Sequence, residues 1–133
     1  MSADAPLTLV LRFVEGINAH DVAAMCSLVT ADHRLTDSLG VTVTGLDAVR
    51  ASWASQFATV PDYHFKITRH FVNEAEIVLV GEASGSRAVN GVWQLDSSWS
   101  VPAALRATVR NGLLAECQVF ADQEPIRSRL RGE

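Results

Sequence analysis

The chain has 133 residues, 48% of them hydrophobic and 20% charged, which is enough apolar matter for one core of ordinary size and too much for a disordered chain. Eleven Lys and Arg stand against 15 Asp and Glu, a net charge of −4, so the basic surface that grips phosphate backbones is missing and no nucleic-acid partner is expected. No run approaches the roughly 20 apolar residues of a membrane span, and Met1-Ser2-Ala3-Asp4 lacks the basic start of a secretory signal, so a single-domain cytoplasmic protein over 1–133 with no membrane partner is expected.

Asp4 can cap a helix whose first turn holds Pro6. Leu7, Val10, Leu11, Val14 and Ile17 then recur at the spacing of one helical face, so this helix is expected to end near Asn18. Asp21 can cap a second helix, with Val22, Met25, Cys26 and Val29 inward and its end at Ala31-Asp32. β-favouring residues run over 34–43 around a turn at Ser38-Leu39-Gly40, predicting a short hairpin or irregular strand that Gly45 stops. Leu46, Val49, Trp53 and Phe57 form the stripe of a third helix ended by Pro61.

Beyond Pro61 the helical period gives way to two strands, 63–72 and 76–85, flanking a turn at Asn73-Glu74. A polar, glycine-containing connection is expected over 85–98. Strands at 99–110 and 113–121 then flank Asn111-Gly112, a strong hairpin signal. Helices segregated before a run of antiparallel strands predict an α+β fold, in which a curled sheet packs its apolar face on three helices and leaves a cup for a small molecule. Cys26 lies in a helical pattern and Cys117 in a strand pattern; they read as reduced core residues, a reactive thiol being the alternative. His20, His33, His64 and His70 make no ligand-spaced motif, so no metal site is expected.

Asn18-Ala19-His20-Asp21, the run from Leu28 to Gly40, Gly45-Leu46-Asp47-Ala48-Val49-Arg50 and the ending from Val109 to Asp122 resemble the nuclear transport factor 2-like superfamily. Within it they resemble the ketosteroid isomerase and SnoaL-like polyketide cyclase branch. The resemblance implies a cone-shaped, cystatin-like α+β barrel with a deep apolar pocket between sheet and helices, no cofactor, and a homodimer through the outer sheet face. In ketosteroid isomerases an aspartate on the first strand, just before a Pro/Ser-x-Gly turn, shuttles the proton. Asp37 before Ser38-Leu39-Gly40 falls on that position and is implied to be the general base. The tyrosine of the isomerases' oxyanion hole falls on Phe13 and the protonated aspartate on Ala104 or Leu105. Both donors are replaced, so steroid isomerisation by that arrangement is not expected. Of the carboxylate, arginine and carboxylate set of limonene-type epoxide hydrolases, Asp122 matches the carboxylate after the final strand, whereas 79–84 offers only Glu82.

Leu35 and Asp37 share one strand face, so an inward Leu35 brings Asp37 into the cup, where lost hydration would make it a stronger base; the alternative is an Asx turn over Ser38-Leu39-Gly40. Trp53, which the resemblance places where isomerases carry a second aromatic hydrogen-bonder, can offer its indole N–H to a ligand or simply pack. Tyr63 and Phe65 face away from His64 and His70. His33 shares the parity of Leu35 and Asp37, and is either Asp37's partner or a cation at a helix C-terminus. Trp93, Asp96 and Trp99 in or beside the expected connection suggest a lid or a dimer contact. Arg106 either binds an acidic substrate or faces solvent, Glu116 points outward, and Asp122 sits at the rim. The tail from Gln123 to Glu133, with Arg127, Arg129 and Arg131, reads as solvated.

The expected site is thus a catalytic Asp37 with substrate contacts from Phe13, His33, Trp53, Tyr63, Trp99 and Asp122. It fits an isomerase, cyclase or dehydratase acting on a small hydrophobic molecule. The alternative is a non-catalytic module that binds such a ligand or works through a dimeric sheet face.

Overall fold

The computed structural model describes residues 4–90, 92–122 and 124. Helix α1 (Asp4–Ala19) buries Val10, Phe13, Val14 and Ile17 along one stripe. His20 closes it with a left-handed φ of 55°, and Asp21 caps α2 (Val22–Cys26) by accepting the Ala24 N–H at 3.0 Å. Strand β1 (Val29–Thr36) and the short β2 (Thr42–Thr44) form the expected hairpin, and α3 (Leu46–Thr59) buries Val49, Trp53 and Phe57 before Val60 and Pro61 end it. Strands β3 (His64–Asn73), β4 (Glu76–Val89), β5 (Val92–Arg110) and β6 (Leu113–Ala121) complete one six-stranded sheet in the order β2-β1-β6-β5-β4-β3.

The sheet is curled and unclosed, and the three helices pack on its concave face. Ile77, Leu79, Val101, Leu105, Ala107 and Leu114 meet Val10, Phe13, Ile17, Val49 and Trp53 there. Alternation decides which residues join this core: 101, 103, 105 and 107 of β5 point in, whereas Pro102, Ala104 and Arg106 point out. Asn111 and Gly112 both carry positive φ, 53° and 77°, the twisted turn that an Asn-Gly pair gives a two-residue hairpin.

Three expectations are corrected. The second helix was expected to reach Ala31-Asp32 but stops at Cys26, because the β-branched Val29-Thr30 enter β1, where the Leu114 N–H donates to the Leu28 carbonyl at 2.8 Å. Pairing with β6 thus overrides a helical spacing. That pairing is parallel, with Leu35 opposite Cys117, so the sheet is not wholly antiparallel. The connection expected over 85–98 is instead strand: β4 and β5 continue as a paired hairpin to Val89 and Val92. Trp93 and Asp96 therefore lie on β5 rather than in a loop, and their side chains lie outside the described residues. The expected solvated tail lies outside them too, apart from Glu124. Among the described residues no helix is long and apolar enough to cross a membrane.

Candidate functional site

A cavity of about 400 Å³, within the range of small-molecule sites, opens between α3 and the end of the sheet where β1 and β6 finish. Its apolar wall is Leu35 from β1, Ala83 from β4, Trp99 from β5 and Val119 and Ala121 from β6; Trp53, Val60 and Tyr63 come from α3 and the segment after it. Across from the sheet, Ser52, Ser55, Gln56 and Thr59 place a row of hydroxyls and an amide along α3. Sequence reasoning missed this row. Its signal was present: positions 52, 55, 56 and 59 repeat at helical spacing immediately beside the apolar stripe of Val49, Trp53 and Phe57. Asp37, Ser38 and Leu39 complete the lining from the β1–β2 turn, and Leu39 is 62% exposed.

Asp37 reaches the cavity as its parity with Leu35 required, but it is solvent-exposed, not desolvated. Its Oδ1 accepts the backbone N–H groups of Leu39 at 2.9 Å and Val41 at 3.0 Å, an Asx turn that fixes the carboxylate over the turn. The Asx-turn alternative thus describes the residue, which borders the cavity without the burial expected of it.

Trp53 is buried between Phe13, edge-on at 6.0 Å and 75°, and Phe57 at 5.7 Å. Phe13, expected as a substrate contact, has no exposed surface and is not among the residues lining this cavity; it packs against Trp53 from behind. Trp99 is neither lid nor surface residue. It is buried on β5 and lines the cavity with its ring centroid 6.3 Å from that of Tyr63. The indole nitrogens of Trp53 and Trp99 are wholly covered and meet no acceptor among the described residues, so each presents ring rather than N–H to the cavity.

Tyr63 is held at three points. Its N–H donates to the Val60 carbonyl at 3.1 Å, its carbonyl accepts the His20 Nε2–H at 2.7 Å, and its ring packs on Trp99. His20 is itself stacked on Phe57 at 4.4 Å. Burial pushes the Tyr63 phenol up to about 12, with a smaller push from Cys117, so it stays an O–H donor at physiological pH. Gly85 makes the wall possible: a Cβ there would lie 2.3 Å from Val60 Cγ1 and 3.3 Å from the Trp99 ring.

The remaining expected residues lie elsewhere. His33 is wholly buried on β1, where its Nδ1–H donates to the Leu114 carbonyl at 2.7 Å; it is neither a helix-end cation nor part of the cavity lining. Burial lowers its basicity, more than the Leu114 carbonyl and the Glu116 and Asp32 charges raise it. Asp122 is exposed, accepts the Glu124 N–H at 3.1 Å, and does not line the cavity. Arg106 lies on the outer sheet face between Glu76 at 3.5 Å and Glu116 at 3.7 Å, its solvent-facing alternative. His64 and His70 are exposed on β3, and Cys26 and Cys117 are buried free thiols. Among the described residues no group of three His, Cys, Asp or Glu is placed to hold a metal.

A family model for the SnoaL-like domain matches residues 10–117. No curated protein matches the chain. Among solved structures, a protein from Jannaschia sp. CCS1, by name in the SnoaL-like polyketide cyclase group, superposes with a TM-score of 0.85 at 18% identity, over 97% of this chain and 93% of its own. One from Xanthomonas campestris, named for polyketide cyclase, gives 0.85 at 16% identity over 96% and 99%. A hypothetical protein of ketosteroid isomerase-like fold from Catenulispora acidiphila, in complex with trimethylamine, gives 0.78 at 17% identity over 91% and 90%. At such identities the likeness establishes the fold.

Proposed function

Because the chain belongs to the SnoaL-like domain family, we propose that it is a small-molecule protein of the cyclase or isomerase type, whose apolar cavity holds a hydrophobic substrate against Asp37. The observation that carries this reading is the position of Asp37: the lone carboxylate among the described lining residues, fixed by two backbone N–H groups at the border of an otherwise apolar and hydroxylic cavity. The trimethylamine bound by the Catenulispora acidiphila protein supports a ligand-holding role for this fold.

In the proposed step the C–H bond beside a substrate carbonyl breaks. Its proton passes to the Asp37 carboxylate and its electron pair moves onto the carbonyl oxygen as an enolate. Return of the proton at another carbon isomerises the molecule; alternatively the enolate carbon attacks a second carbonyl of the same molecule, whose π pair moves onto its oxygen and takes the proton back from Asp37, closing a ring and restoring the carboxylate. The fixed orientation of Asp37 supplies part of the catalysis by holding the base where the C–H bond arrives. The cavity is tested with N-phenyl-1-naphthylamine, an uncharged fluorescent probe. Saturable binding that Ala121→Trp abolishes while the fold is retained supports the reading; no binding by the unaltered protein contradicts it.

A second reading, a ligand-binding module without turnover, is favoured by the exposure of Asp37 and its use as a turn cap. Turnover of any ketone by the protein would exclude it.

We also propose a homodimer through the outer sheet face. Register aligns Val80, Ala104 and Phe120 in one row there, with Phe120 45% exposed. Light scattering at micromolar concentration should give twice the chain mass, and Phe120→Lys should lower it; a monomer before substitution contradicts the proposal.

A further inference from the structure

We propose that the Tyr63 hydroxyl is the hydrogen-bond donor of the cavity and that the ligand it selects is uncharged and carries a carbonyl oxygen. The inference rests on the cavity reading above, but not on Asp37 as a base.

Three observations combine. Tyr63 lines the cavity while only 8% exposed, and its hydroxyl makes no hydrogen bond with the described residues, unlike its backbone N–H and carbonyl. The hydroxyl is not among the wholly covered polar atoms that lack a partner, so on a largely buried side chain it stays open to an acceptor that enters the cavity. The other large donors of the wall are not available in this way, since the Trp53 and Trp99 indole nitrogens are covered by their neighbours. The α3 donors Ser52, Ser55, Gln56 and Thr59 are half-buried or exposed, so the phenol is the donor on a buried side chain that a ligand oxygen can meet, and burial keeps it protonated.

The rest of the lining sets the charge of the ligand. No Lys, Arg or His is among the described lining residues, and Asp37 is the one carboxylate, so a carboxylate or phosphate ligand would enter against a like charge with no cation to balance it. A ketone has an acceptor and no charge, and it uses the phenol without disturbing Asp37.

Tyr63 is the one tyrosine in the sequence, so ¹³Cζ-tyrosine labelling gives one resonance that reports on this hydroxyl. The probes are α-tetralone, its hydrocarbon analogue tetralin, and tetralin-1-carboxylate. The proposal expects the ketone to bind about fivefold or more tighter than tetralin, the worth of one net hydrogen bond. It expects the carboxylate to bind more weakly than the ketone. The tyrosine resonance should shift with the ketone and not with tetralin, and Tyr63→Phe should bring ketone and hydrocarbon to equal affinity. If Tyr63→Phe does not fold, the resonance of the unaltered protein decides alone.

Equal binding of ketone and tetralin with an unmoved tyrosine resonance overturns the proposal while leaving the cavity reading intact. Tighter binding of the carboxylate overturns the ligand class. Failure of tetralin, tetralone and N-phenyl-1-naphthylamine to bind overturns the cavity reading and this inference with it.

Discussion

The side-chain amide of Asn18 takes both backbone groups of Phe65: Oδ1 accepts the Phe65 N–H at 2.8 Å and Nδ2 donates to the Phe65 carbonyl at 3.0 Å. An asparagine at the end of α1 thereby acts as a strand partner for edge strand β3 and fixes the segment that carries Tyr63 two residues earlier. Asn18→Ala leaves two part-buried backbone groups without this partner and should cost about 1–3 kcal/mol in urea unfolding. Asn18→Asp keeps the acceptor and should cost less. Equal stability of Asn18→Ala and the unaltered protein would show that water replaces the amide.

His33 should make the fold acid-sensitive. Its basicity in the folded chain is lowered below the ordinary 6.5, chiefly by burial, so the unfolded chain takes up the proton first as pH falls. Its contribution is flat above pH 6.5 and destabilises progressively below it. The urea midpoint at pH 5 should be lower than at pH 7, and His33→Asn should reduce that difference; an unchanged difference would remove His33 from the account.

At the alkaline end the sign follows from groups pushed the other way. Burial raises Tyr63 from 10.0 and Cys117 from 9.0 to about 12 each, so unfolded chains ionise first as pH rises. Stability should fall between pH 9 and 12, and tyrosinate absorbance should appear only near the upper limit while the chain stays folded. A tyrosinate midpoint near 10 in folded protein would place the phenol in water.

The β1–β2 turn separates the two duties of Asp37. An amide oxygen still accepts from Leu39 and Val41, so Asp37→Asn should melt close to the unaltered protein, whereas Asp37→Ala loses both bonds and should cost about 1–2 kcal/mol. Melts that rank the alanine variant as stable as the asparagine variant would contradict the turn assignment.

Much of the architecture is legible from periodicity and turn chemistry. The stripe of Val10, Val14 and Ile17, the run Val49, Trp53 and Phe57, and Asn111-Gly112 each specify an element through local contacts. Two segments are not legible, for one physical reason. Val29 continues a helical spacing, and 85–98 is polar and weak in strand preference; both become strand through hydrogen bonds to a neighbour distant in sequence or beyond a turn. At the site, strand parity brings Asp37 to the cavity, and Trp53, Tyr63 and Trp99 do line it. Phe13 and His33 point inward as their periodicity requires, yet end behind the cavity wall, because burial on the core face does not say which core residues border a void. The α3 hydroxyl row went unseen because small polar residues beside an apolar stripe read as a solvated helix flank.

The most direct test of the central claim is exchange of the α-protons of α-tetralone in D₂O, followed by proton NMR with the unaltered protein and with Asp37→Asn. The account predicts exchange faster than in buffer alone, with the protein-dependent part lowered by about 10²–10⁴ in the variant, the usual contribution of a positioned base. Exchange no faster than in buffer, or equally fast with the folded variant, would contradict the assignment of Asp37 as the residue that moves the proton.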